Sequence, residues 1–342
     1  MDTTRRRTIA LVLVAAFLPL QYAINAAILT SHRISVPSLL WLAYTASGFL
    51  VPLAGGIVGG LVVAAFRREL RLQARVMLSW RWIATTLVIF AISGVLAWLY
   101  SVLKITAHAT RGVSYDALLW KIDSWLLLGA SPNIFFLELL AHPLAYRAID
   151  FLYVGVFTTT ITASFVLMFG WRRNDDRIAY LVGSVILWLG GAWLYYALPS
   201  LGPAYAFYEV WDAVREDFPR AMFLQKTLLD NHMRLLRLAA GEIVPRPVNV
   251  YLGIGAFPSL HVGFHVYFAL WLQRLIPRLR IVGWVLVIVV AVGSVVTGWH
   301  YLVDSIAGGL LALGAYVAVV PLLEKTSRES GVESPESATP ES

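Results

Sequence analysis

Eight apolar runs, each roughly as long as a bilayer is thick, constrain this chain more than anything else in its sequence. They fall at residues 8–29, 39–66, 83–103, 148–169, 178–198, 257–275, 281–303 and 305–323. A run of that length crosses the hydrocarbon core as a helix, because a helix satisfies every backbone N–H and C=O within its own segment. Composition agrees: 59% of residues are hydrophobic, 14% are charged and mean hydropathy is +0.71, which excludes a soluble globule. The 13 Trp suit aromatic belts at both membrane interfaces. The chain has no Cys, so disulfides, thiolate metal sites and cysteine nucleophiles are excluded.

The net charge of +7 does not point to nucleic acid, because the basic residues sit in short loops between apolar runs. With the N-terminus inside, sixteen of the 27 Lys and Arg fall in the inner segments, although these are much the shorter in total. The positive-inside rule therefore predicts cytoplasmic N- and C-termini. Arg5, Arg6 and Arg7 before the first run also fit a cleavable signal peptide, but the run is long for one and reads as an uncleaved span. Three parts follow: N-terminal membrane helices over 1–110, a second membrane domain over 111–323, and a disordered cytoplasmic tail over 324–342, rich in Ser, Glu and Pro. Gly55, Gly56, Gly59 and Gly60 in the second run suit close helix packing.

Two outer segments are too long for simple connectors. Residues 115–126 interleave Asp116, Asp123 and Ser124 with Leu119, Trp120 and Leu126, which predicts an amphipathic helix along the interface with its carboxylates solvated. Residues 135–140 read as a short dipping segment. The second outer segment opens on a Gly202-Pro203 turn and carries a helical stretch over 224–237. Lys226, Arg234, Arg237 and Arg246 are its cations placed to hold a phosphate group.

Chemistry concentrates at the two ends of residues 253–309. Phe257-Pro258-Ser259-Leu260-His261 opens the stretch, and Gly298-Trp299-His300-Tyr301-Leu302-Val303-Asp304 follows two apolar runs and a basic turn. A transmembrane hairpin over this stretch brings both histidines to one side of the membrane, the extracytoplasmic side in the topology above. Pro258 suits the first turn of a helix, which puts Ser259 and His261 near a helix N-terminus that favours phosphate. His300 and Asp304, four residues apart, are expected on one helix face, with the carboxylate setting the imidazole tautomer.

Together these two motifs resemble the type-2 phosphatidic acid phosphatase superfamily. Leu260 after the serine and the His-Tyr-x-x-Asp order are more similar to its inositol phosphorylceramide synthase branch. The resemblance is specific over 253–309 and diffuse over 115–252. It implies an all-α integral membrane fold with about eight transmembrane helices, a phosphatase-like helical core over 111–323 and an extracytoplasmic interfacial helix. It also implies that His300 is a nucleophile forming a phosphohistidine, that Asp304 orients it and that His261 is the general acid and base. Two departures stand out. Many superfamily phosphatases carry arginine six residues before the second histidine, where this chain has Ser294, and a Lys-x6-Arg-Pro motif, where Arg246-Pro247 is present but Ala239 replaces the lysine.

The expected function is a membrane inositolphosphotransferase-like enzyme acting on a lipid phosphate or phospholipid, without metal or cofactor. The alternative within the class is a lipid-phosphate or polyprenyl-pyrophosphate phosphatase with water as acceptor. A metal protein is a different class: His261, His265, His300 and Asp304 could converge, although a Pro-Ser turn has no purpose there. A transporter is a third, set against spans with almost no ionisable residue away from their outer ends.

Overall fold

The computed structural model describes residues 3–32, 34–35 and 38–323. The tail expected at 324–342 lies outside them. Every regular element among the described residues is helical. The N-terminal part holds α1 (Thr3–Ser31), α2 (Leu39–Ser47), α3 (Leu50–Phe66), α4 (Leu70–Met77) and α5 (Trp80–Arg111). Then come α6 (Asp116–Leu126), α7 (Pro132–Leu139), α8 (Pro143–Gly170), α9 (Asn174–Ala197), the single turn α10 (Pro203–Ala206) and α11 (Pro219–Ala239). The chain closes with α12 (Leu260–Leu275), α13 (Arg280–Val296) and α14 (Leu302–Val319).

Among the described residues seven segments are long and apolar enough to cross a membrane, which makes this an integral membrane protein: 5–31, 40–66, 80–111, 143–170, 174–197, 277–296 and 302–322. The eighth run resolves into α12, whose 16 residues leave it shorter than the others. The predicted second span is broken after Ser47, so that α2 and α3 follow one another with a step at Gly48 and Phe49.

Packing follows the small residues. The pairs α12–α14, α12–α13, α5–α9 and α3–α8 make the closest helix contacts. Gly56 of α3 lies so near α8 that a Cβ there would stand 2.6 Å from Phe169 Cβ, as the glycine pattern predicts, whereas Gly59 faces open space. The main core cluster joins α1, α5, α9, α12 and α14 through side chains such as Leu99, Leu187, Tyr267 and Trp271. The N-terminal helices thus pack into the same body as the later ones.

The structure corrects three expectations about the site's surroundings. Pro258 is not in the first turn of α12: Ser259 is the N-cap, its hydroxyl accepting from Val262 N at 3.3 Å, and Pro258 precedes it. The run 281–303 stops being helical at Val296, because Gly298 takes φ +74° and turns the chain. His300 therefore lies in the loop before α14, and only Asp304 is on the helix, in its first turn. They share no helix face, so their proximity comes from the turn.

The third correction concerns the carboxylates of α6. Residues 116–126 are helical, but Asp116 and Asp123 point inward and are buried. Asp123 accepts from Leu302 N at 2.6 Å and Val303 N at 2.8 Å, capping the N-terminus of α14. Burial outweighs these two donors and pushes the Asp123 carboxyl up to about 6. Asp116 accepts from Leu201 N at 2.9 Å, Gly202 N at 2.8 Å and Tyr301 Oη at 2.8 Å. What reads as a solvated face is a clamp on the loops around His300.

Candidate active site

Two glycines bring the motifs together. Gly263 of α12 and Gly308 of α14 face each other so closely that a Cβ on Gly263 would lie 2.7 Å from the Gly308 carbonyl oxygen. Across this contact Ser259 N donates to the Asp304 carbonyl at 2.9 Å. The far side of the His300 loop is held by Asn133 of α7, whose amide donates to Val295 O at 2.8 Å and His300 O at 3.2 Å. Each partner is backbone, so the loop's path is fixed without relying on its side chains.

His300 is buried, and its Nδ1 lies 2.9 Å from the Ala256 carbonyl oxygen. A carbonyl only accepts, so Nδ1 carries the hydrogen and Nε2 presents its lone pair in the neutral ring. Nε2 is 3.0 Å from Nδ1 of His261, which is also 2.8 Å from the Tyr153 hydroxyl of α8. Asp304, fully buried, has Oδ2 3.4 Å from His300 Nδ1 without hydrogen-bond geometry, a contact that becomes an ion pair only when the ring is protonated. That oxygen accepts instead from Tyr301 N at 2.9 Å. The tautomer of His300 is thus set by Ala256 first, with the Asp304 charge close behind it.

His261 and His300 line a cavity of about 410 Å³ with Tyr153, Tyr195, Trp299 and Lys104. None of the predicted phosphate-binding residues lines it. Ser259 is fully buried as the cap of α12. Lys226 and Arg246 are exposed, Arg237 pairs with Glu242 at 2.7 Å and Arg234 turns to Asn231 at 3.3 Å. Sequence reasoning missed Lys104 and Tyr153, which sit on long apolar helices with no motif around them. A second, apolar cavity of about 200 Å³ adjoins the first, sharing Tyr100 and Trp188 with it and lined further by Phe49, Leu96, Phe165 and Leu181. His265 turns back to its own helix, Nδ1 lying 2.7 Å from the His261 carbonyl oxygen. Among the described residues no three of His, Cys, Asp and Glu cluster as metal ligands.

Two hydrogen-bonded imidazoles thus face one cavity within a bundle of membrane-length helices. The chain belongs to the PAP2 superfamily, whose profile matches residues 117–318. It is accordingly an enzyme of the phosphatase or phosphotransferase type that acts on lipid phosphates. No curated protein and no solved structure matches it.

Proposed function

We propose that the protein is a membrane phosphotransferase that moves a phosphoryl-containing group from a lipid phosphate or phosphodiester to an alcohol, by way of a phosphohistidine on His300. The observation that carries this reading is the Ala256 bond, which leaves His300 Nε2 as a lone pair directed at His261 in a cavity beside an apolar pocket. In the first step Nε2 bonds to phosphorus while the bond to the leaving oxygen breaks, and His261 gives that oxygen a proton. Asp304 stabilises the charge that builds on the His300 ring without taking its proton. In the second step His261 removes a proton from the acceptor hydroxyl, the new P–O bond forms and the P–N bond breaks. A near-attack phosphorus sits about 3–3.5 Å from Nε2, the place His261 Nδ1 now occupies. The His261 ring must therefore turn into the cavity as substrate enters.

Transfer is favoured over hydrolysis by the wording of the His-Tyr-x-x-Asp motif; an inositol-like acceptor is the form that wording suggests. Purified protein given a phospholipid or lipid phosphate in excess chelator is expected to turn it over. Added inositol or another alcohol should divert product from free phosphate to the new ester. Complete, metal-reversible loss in chelator would favour the metal reading, and indifference to every acceptor would favour a phosphatase.

The chemistry is assigned to the extracytoplasmic face, with both termini inside. The Cys-free chain allows single cysteines at the exposed positions Arg71 and Glu209. An impermeant thiol reagent on intact cells is expected to label position 209 and not 71. The opposite pattern would place the reaction on the cytoplasmic side.

A further inference from the structure

Lys104 is the one Lys or Arg, among the described residues, that lines the cavity holding His261 and His300. It lies on α5, before the part of the chain that the superfamily profile matches. Its stem packs on the segment just before the first motif: a Cβ on Gly255 would stand 3.2 Å from Lys104 Cε, next to the Ala256 carbonyl that holds His300. Its ammonium stands 5.1 Å from the Tyr195 ring centroid and 5.8 Å from that of Tyr100. No carboxylate among the described residues pairs with it. Ring faces offset only part of the cost of taking an ammonium out of water. An anion bound in the cavity would supply the rest.

The charges of the cavity can be counted. Of the groups that line it, Lys104 contributes one positive charge and the His261 and His300 rings are neutral, while Asp304 lies behind His300 and outside the lining. A phosphomonoester carries about −1.5 to −2 near neutrality, which leaves charge uncompensated in a site of low dielectric. A phosphodiester carries a single charge, and one net positive charge matches it.

We propose that Lys104 is the residue that binds the substrate's phosphate, and that its lone charge selects a phosphodiester monoanion over a phosphomonoester dianion. This rests on the phosphoryl-transfer reading of His300 and names the donor class within it.

The test uses full-length protein in detergent at pH 7 and reads both binding and turnover. The binding probes are decyl methylphosphonate, a monoanion that mimics a diester and is not cleaved, and decyl phosphate, a dianion. Wild type is expected to bind the monoanion roughly 10-fold or more tightly than the dianion, a typical worth of a hydrogen bond to a charged group. Lys104→Met should weaken monoanion binding by a similar factor, and Lys104→Arg should restore most of it. On a decyl p-nitrophenyl phosphodiester, Lys104→Met should lose kcat/KM mainly through KM. Equal or tighter binding of the dianion, or monoanion binding indifferent to Lys104→Met, would overturn the proposal. Should Lys104→Met fail to fold, the wild-type preference and the Lys104→Gln variant decide it. Monoanion binding that depends on Lys104, with no turnover of any donor, would uphold this inference and sink phosphoryl transfer. Turnover that ignores Lys104 would do the reverse.

Discussion

His300→Ala is expected to lower turnover by about 10⁴-fold or more, to the level of positioning alone, and to leave no phosphoryl group on the protein. Its Nε2 is the lone pair that the Ala256 bond exposes, and no other imidazole of the cavity has its tautomer fixed this way. His261→Ala should differ in kind. General acid catalysis contributes roughly 10²–10⁴-fold, so with an activated leaving group that variant should still form the acid-labile phosphohistidine and then stall, lacking a base for the acceptor. Asp304→Asn should be milder still. The hydrogen bond that sets the His300 tautomer goes to Ala256, and an Asn oxygen can still accept from Tyr301 N, so the loss is that of the charge 3.4 Å from the ring. The measurement is radiolabel retained on protein after a rapid quench. Label on His300→Ala but none on His261→Ala would exchange the two roles. Full activity with no label on any form would point to direct in-line transfer between donor and acceptor.

The membrane helices and the two histidines were legible because both depend on local pattern. An apolar run of sufficient length has one low-energy form in a bilayer, and a hairpin of two such runs returns the chain to the leaflet it left. The carboxylates of α6 were misread for the opposite reason. Asp116 and Asp123 interleave with apolar residues just as a solvated face does, while the N–H groups they cap lie 85 and 179 residues further along the chain. Nothing in the sequence around Lys104 marks it; only the packing of α5 against the loop at Gly255 makes it a cavity residue. The end of α13 was within reach of the sequence, since Gly298 sits where a helix stops in a left-handed turn. The run of apolar residues through Val303 concealed it. The dependence of His300 on Ala256 could not have been read, because a backbone acceptor has no side-chain signature.

Gly308→Ala should cost more activity than any other single methyl group placed near the site. A Cβ there would lie inside contact distance of the Ser259 carbonyl oxygen and 2.9 Å from the carbonyl carbon. Both atoms are backbone, and Ser259 N is bonded to the Asp304 carbonyl across the same contact, so neither side can yield by changing a rotamer. The N-terminus of α12 must then move off α14, taking His261 away from His300. Overpacking of this kind typically destabilises by about 1–3 kcal/mol, and a misplacement of about 1 Å at reacting groups can cost roughly 100-fold in rate. Gly308→Ala is therefore expected to lose about 100-fold or more in turnover, with a matching fall in the rate of phosphohistidine formation. Gly309→Ala is the control: its nearest neighbour is Val266 Cγ2 at 3.9 Å, an ordinary contact, and its activity should stay within a few-fold of wild type. Loss in both variants would mean that α14 tolerates no alanine for reasons of helix packing at large. Loss in neither would mean that the distance between the two histidines is not set by the contact between α12 and α14.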